Sequence, residues 1–266
     1  MPYIIAAALL GLIWGSFLNV VIWRLPQMTV AGLMRRGQAL SFLALPLSHC
    51  PHCAAPVPFY YNIPLLSFIW LRGRAKCCGA SIGWHYPLIE AAGMLICGGA
   101  AVHFASLVDA LLAIAFLSVL LVAAVIDLRR YYLLDILTVP LLWLGLLANV
   151  DSRFALLEDA VLGAAGGYLF LSTLSAVMSM VLKKRAMGGG DFKLTAALGA
   201  WLGWQMLPLL LFLAAVLGLF FAAWRYLRRG RAGSRIPFGP SLSLAGAFLL
   251  FWGHDLMIIC LLFFGD

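Results

Sequence analysis

An all-α polytopic membrane protein with about eight transmembrane or membrane-embedded helices is the fold that the sequence predicts. Three observations carry this. Of 266 residues, 64% are hydrophobic and only 11% are charged, where soluble domains carry roughly a quarter charged residues. The apolar residues fall in long runs rather than in a two-residue alternation. The basic residues gather at alternate ends of those runs. A segment in lipid must satisfy its own backbone hydrogen bonds, so the runs are read as helices.

Taken in order, the runs lie near 3–23, 86–106, 108–126, 133–150, 158–182, 192–203, 204–226 and 240–263. The first, Tyr3–Trp23, has no basic residue before it and is long enough to cross, so it reads as a span and not as a cleavable signal. The sixth is short of the ~20 residues that a straight crossing needs and reads as a partial or re-entrant helix. Gly163 and Gly167 in the fifth form a small-residue helix-packing face. The expected organisation is a first transmembrane helix at 1–23, a polar loop domain at 24–85 and a membrane-embedded domain at 86–266.

With the N-terminus outside, every basic residue but Arg153 falls on the inner side: Arg24, Arg35, Arg36, Arg72, Arg74 and Lys76, then Arg129 and Arg130, then Lys183, Lys184, Arg185 and Lys193, then Arg225, Arg228, Arg229, Arg231 and Arg235. The outer turns carry Asp109, Asp151, Glu158 and Asp159 instead. This asymmetry orients the chain with its basic face toward the cytoplasm. It also accounts for the formal charge of +8 without nucleic acid, which is excluded as a partner; membrane lipids are the expected neighbours.

Of ten acidic residues, Glu90, Asp127, Asp135 and Asp191 fall on or near the inner side. A carboxylate next to hydrocarbon is costly and needs a reason. Asp127 ends the third run. Asp191 opens the sixth, after Gly188, Gly189 and Gly190, where missing side chains leave room for an extended peptide. Taken singly, Asp127 reads as a helix-end residue paired with Arg130 and Asp191 as a helix cap. Together on one face they read as an acid–base pair: two close carboxylates cannot easily both ionise, so one keeps a proton. Glu90 and Asp135 are candidates to contact a basic substrate segment or to neutralise Arg129, Arg130 or Lys193. Cys50, Cys53, Cys77 and Cys78 cluster in the one polar loop and suggest metal or redox chemistry. Two other classes stay open on these residues: a non-catalytic membrane assembly factor, and a channel or transporter using Asp127 and Asp191 as a proton relay. The glycine-preceded Asp191 discriminates, because a relay needs its carboxylate inside a span.

The order of motifs resembles the type IV prepilin peptidase family. The likeness runs from the stretch Gly15–Pro26 through Cys50-Pro51-His52-Cys53, Asn62-Ile63-Pro64, Leu71-Arg72-Gly73 and Tyr86–Glu90 to Asp127, Asp135, Gly188–Lys193 and Ile236–Pro240. The resemblance implies an aspartic endopeptidase of the bacterial inner membrane with Asp127 and Asp191 as the catalytic pair near the cytoplasmic face. It implies that the substrates are type IV prepilins or type II secretion pseudopilins, cut after a Gly that precedes their apolar segment, with no cofactor for cleavage. It also implies N-methylation of the new terminus with S-adenosylmethionine, and structural zinc at two Cys-x-x-Cys pairs. Here the second pair departs from the pattern: Ala75 stands where a cysteine is expected, and Cys77 adjoins Cys78. Adjacent thiols are awkward in one tetrahedral site, so His49, His52 or His85 is a candidate substitute ligand.

Overall fold

The computed structural model describes residues 2–30, 49–50, 52–183, 187–229 and 237–264. Arg35, Arg36, Pro51, Lys184, Arg185, Arg231, Arg235 and Ile236, used above for orientation or motif, lie outside them. Among the described residues the chain is helical, with isolated bridges His49–Pro56 and Arg74–Ser81 in place of a sheet. The helices are α1 (Pro2–Val30), α2 (Leu66–Trp70), α3 (His85–His103), α4 (Leu107–Arg130), α5 (Asp135–Ala148), α6 (Leu157–Leu182), α7 (Gly189–Leu202), α8 (Leu207–Arg229) and α9 (Gly239–Phe264).

Among the described residues, six segments are long and apolar enough to cross a bilayer: Tyr3–Thr29, His85–His103, Leu107–Arg130, Leu157–Leu182, Trp204–Arg228 and Gly239–Ile258. Large apolar side chains such as Leu219, Phe220 and Met180 stand exposed on them, an arrangement that lipid rather than water accommodates. The chain is a polytopic all-α membrane protein. The other two expected segments, α5 and α7, have 14 residues each and reach ~21 Å, short of the ~30 Å hydrocarbon core. The sixth run is therefore short as expected. The fourth is shorter than expected, because the chain leaves the α-helix for a 3-10 turn at Asn149–Asp151.

The chain forms two compact units, Met1–Ser118 and Val119–Asp266, divided within α4. In the first, α1 packs along α3. The packing face is small: a Cβ on Gly11 or Gly93 would overlap the other's carbonyl oxygen, and one on Gly15 would lie 2.7 Å from the Glu90 Cα. In a membrane, such close backbone approach supplies the dispersion contact that drives helix association. Trp14 Nε1 donates to Ser118 Oγ at 2.8 Å.

In the second unit α7 is the central element, packed between α5 and α6 and buried continuously from Leu194 to Trp201. Gly163 of α6 meets the Gly199 backbone so closely that neither position has room for a Cβ, and Gly167 lies against Thr195; the expected packing face is where the sequence puts it. Trp201, fully buried, donates Nε1 to the Leu141 carbonyl at 2.9 Å. Asn149, also fully buried, donates to the carbonyls of Ala200 (2.9 Å) and Trp201 (3.2 Å) and accepts from the N–H groups of Phe154 and Ala155. Its amide thus satisfies the C-terminal carbonyls of α7, which have no partner within the helix.

Candidate active site and cysteine cluster

Asp127 lies one turn from the C-terminus of α4 and is 5% exposed. Its Oδ2 accepts the Gly239 N–H at 3.0 Å, so the buried carboxyl is held by a backbone donor. Among the described residues no ion pair joins it to Arg130, and the helix-end pairing weighed above gives way to this contact. Gly239 is the first residue of α9, whose N-terminal partial charge favours an anion there. A Cβ at Gly239 would stand 2.6 Å from Asp127 Oδ2; only glycine lets the backbone come this close.

Asp191 lies in the first turn of α7, at another helix N-terminus. Its own N–H bonds the Gly188 carbonyl at 3.2 Å. Burial first, and the negative charge of Asp127 second, push its carboxyl up to about 7. The three glycines before Asp191 differ in what they permit. A Cβ at Gly190 would lie 2.6 Å from Leu133 Cβ, one at Gly188 would sit 3.5 Å from Asp191 Oδ2, and one at Gly189 would meet nothing within 4 Å. Only Gly190 is required by packing; the other two positions have room for a Cβ.

Around the pair, Lys193 Nζ meets Asp135 Oδ2 at 2.6 Å, with side chains 37% and 63% exposed. Asp135 is thus already matched to a cation. Glu90 belongs to the first unit, where its Oε2 accepts the Leu65 N–H at 2.9 Å. Leu65 has φ +56°, a conformation costly for a branched side chain, and the carboxylate pins it ahead of α2.

The cysteine cluster, in the first unit, is made by two tight turns. In one, the Ala54 N–H bonds the Cys50 carbonyl and the Cys50 N–H bonds the Ala55 carbonyl, both at 2.9 Å; in the other, the Ala75 N–H meets the Ala80 carbonyl and the Gly79 N–H meets the Ala75 carbonyl, both at 2.8 Å. Gly79 has φ +70°, which lets the chain reverse just after two adjacent cysteines. Sulfurs of Cys50 and Cys78 are 3.7 Å apart, Cys53 and Cys77 3.3 Å, Cys77 and Cys78 3.9 Å, and all four lie within 4.8 Å of one another. Four thiolates on one tetrahedral zinc at ~2.3 Å would be ~3.8 Å apart, so the donor set fits. No histidine joins the cluster among the described residues; the turn at Gly79 makes a substitute ligand unnecessary. Backbone N–H groups of Cys53 and then His52 lower the Cys50 thiol to about 6, while hydrogen bonds to Cys53 and Cys50 push Cys77 up to about 12.

Two family models match the chain: the bacterial peptidase A24 N-terminal domain over residues 9–104, and the type IV leader peptidase family over residues 114–223. A prepilin leader peptidase/N-methyltransferase from Pseudomonas aeruginosa is 40% identical, covering 100% of this chain and 96% of its own. Proteins of the same name from Stutzerimonas stutzeri and Aeromonas hydrophila are 42% and 44% identical, covering 96% and 93% of this chain and 93% and 90% of theirs. The chain belongs to the type IV leader peptidase family. No solved structure gives a significant match.

Within this leader peptidase, Asp127, Asp191, Gly188, Gly190, Lys193 and Asp135 all fall in the second unit, and Glu90 and the four cysteines in the first. Gly239 is the residue that sequence reasoning missed as a partner of Asp127. Its signal was the Gly-Pro step opening the last helix, a common helix start, within the quoted stretch Ile236–Pro240.

Proposed function

We propose that this leader peptidase is an aspartic endopeptidase that removes the short basic leader of type IV prepilins or type II secretion pseudopilins, on the cytoplasmic side of the bacterial inner membrane, with Asp127 and Asp191 as its catalytic pair. The observation that carries the reading is a pair of buried or half-buried carboxyls, each set at a helix N-terminus beside glycine: Asp127 accepts the Gly239 N–H that opens α9, and Asp191 stands in the first turn of α7 after Gly188, Gly189 and Gly190.

The chemistry follows from one proton shared by two carboxyls. Asp127, held by the Gly239 N–H, is the ionised partner and takes a proton from water as that water's oxygen attacks the scissile carbonyl. Asp191, protonated below about 7, gives its proton to the carbonyl oxygen. The tetrahedral adduct collapses when the C–N bond breaks. One proton returns to the leaving amine and one remains on the pair, restoring the starting state. The Lys193–Asp135 pair beside this site neutralises a cation that would otherwise repel a basic leader. Glu90 supports the loop ahead of α3 through Leu65.

Zinc, when bound by Cys50, Cys53, Cys77 and Cys78, would cross-link the two turns of the loop, a structural role in which the metal meets no substrate. The relatives' name couples leader cleavage to N-methylation, and S-adenosylmethionine would be the methyl donor. The aromatic cleft of the loop, at Tyr61, Trp70, Arg72, Arg74 and Lys76, is cationic and does not suit a sulfonium ion.

The test is incubation of the purified chain with a prepilin-type substrate carrying a basic leader, a Gly and an apolar helix, followed by mass measurement of the product. Loss of the leader after the Gly supports the reading, and an added methyl mass reports the second activity. An uncut substrate, under conditions where a relative cuts it, overturns the reading.

A further inference from the structure

The segment between the cysteine turns and α3 has its polarity inverted. Ser67 of α2 is buried and its Oγ donates to the Tyr60 carbonyl at 3.3 Å. Leu66, Ile69 and Trp70 on the same short helix point outward, Trp70 with 74% of its surface free. A helix facing water does the reverse. Such a face suits an apolar surrounding, although α2 lies outside every candidate span among the described residues.

Its depth is set by Trp84. That ring packs against Phe68 of α2 at 5.0 Å between centroids and is itself 72% exposed. It directly precedes the spanning helix α3, the level at which tryptophans sit among lipid headgroups. Immediately after α2, Arg72, Arg74 and Lys76 alternate along the chain and line one cleft of about 400 Å³ with Tyr61 and Trp70. Lys76 Nζ donates to the Tyr61 hydroxyl at 2.5 Å, which holds its charge at the rim. No ion pair reaches these three cations among the described residues, and residues 24–85 contain no Asp or Glu at all.

We propose that Leu66–Lys76 is an interfacial lipid-binding element: Leu66, Ile69 and Trp70 sit at the acyl boundary, and Arg72, Arg74 and Lys76 hold the phosphate of an anionic phospholipid. Charge complementarity and continuity with α3 select this occupant. The element fixes the loop domain against the cytoplasmic leaflet and makes its placement depend on lipid charge. It stands whether or not the peptidase assignment does.

The test is hydrogen–deuterium exchange of the full chain in nanodiscs of phosphatidylcholine alone and of phosphatidylcholine with phosphatidylglycerol. At ~1 kcal/mol per basic residue near an anionic surface, amides of residues 66–76 should exchange at least about tenfold more slowly with the anionic lipid. The R72Q/R74Q variant, which leaves the Lys76–Tyr61 contact intact, should lose most of that difference, and Ile69→Ser should raise exchange in both lipids. Equal exchange of the parent chain in both nanodiscs, an undiminished lipid dependence in R72Q/R74Q, or the same protection from inorganic phosphate in phosphatidylcholine alone would each overturn the proposal.

Discussion

The aspartate site and the cysteine cluster are built on opposite principles. Asp127 is buried and held by a backbone N–H at the head of another helix. Asp191 begins a helix buried along most of its length, whose far end is secured by the amide of Asn149. The position of each carboxyl is therefore fixed by packing that extends through the whole second unit. Of the four cysteines only Cys50 is buried, and two turns of a few residues set their geometry. What orders the aspartates is distributed, whereas what orders the thiols is local and would be completed by a ligand. The proposed catalytic pair needs the first kind of support, because a misplacement of ~1 Å can cost ~10²-fold in rate. A cross-link needs only that its donors can meet.

The largest expected effect separates the two regions outright. Asp127→Asn and Asp191→Asn should each abolish cleavage while the protein still accumulates in the membrane, a loss beyond the ~10²–10⁴-fold of a single general acid or base, because the pair acts as a unit. Substantial cleavage by either variant would remove the two-Asp mechanism. Next in size is Gly239→Ala. Its Cβ would stand 2.6 Å from Asp127 Oδ2, so kcat/KM should fall by roughly 10²-fold with the protein folded; parent-like activity would show that the Gly239 contact does not position Asp127. Smaller still is a contrast within one turn. Gly190→Ala should lower thermal stability by about 1–3 kcal/mol, since its Cβ meets Leu133, whereas Gly189→Ala should leave the melting temperature unchanged. Equal stabilities would break that assignment. Smallest is the effect of a chelator on cleavage. It should loosen exchange in residues 49–85 and leave the rate of the folded enzyme unchanged. Rapid loss of cleavage would move Asp127 and Asp191 from acid–base roles to metal ligation.

The parts of this arrangement legible in the sequence were those written locally. Asp127 at the end of an apolar run, three glycines before Asp191, the four clustered thiols and the Gly163–Gly167 face can all be read within a few residues. The parts not legible are long-range. The Gly239 donor lies 112 residues from Asp127, and a backbone N–H leaves no mark on composition. Asn149 sits inside an apolar run and looks like a polar interruption. Only the fold brings the α7 carbonyls to its amide, and that contact is why α5 ends sooner than hydropathy suggests. The Gly11, Gly15 and Gly93 contact is equally silent, since neither helix alone shows what it faces. The departure at Ala75 misled in the other direction: counting residues between cysteines suggested a defective site, while the turn at Gly79 restores the four-sulfur cluster.

The claim that the two carboxyls share one proton is tested most directly by the pH dependence of kcat/KM for cleavage of a prepilin-type substrate. Asp191 is raised to about 7, so its carboxyl is protonated below that value and ionised above it; once both groups are charged the pair has no acid to offer. Activity should therefore fall as pH rises through about 7, and fall again in acid as Asp127 too becomes protonated. A rate that keeps climbing well above the Asp191 value would mean that no proton on this pair is needed, and would contradict the shared-proton mechanism.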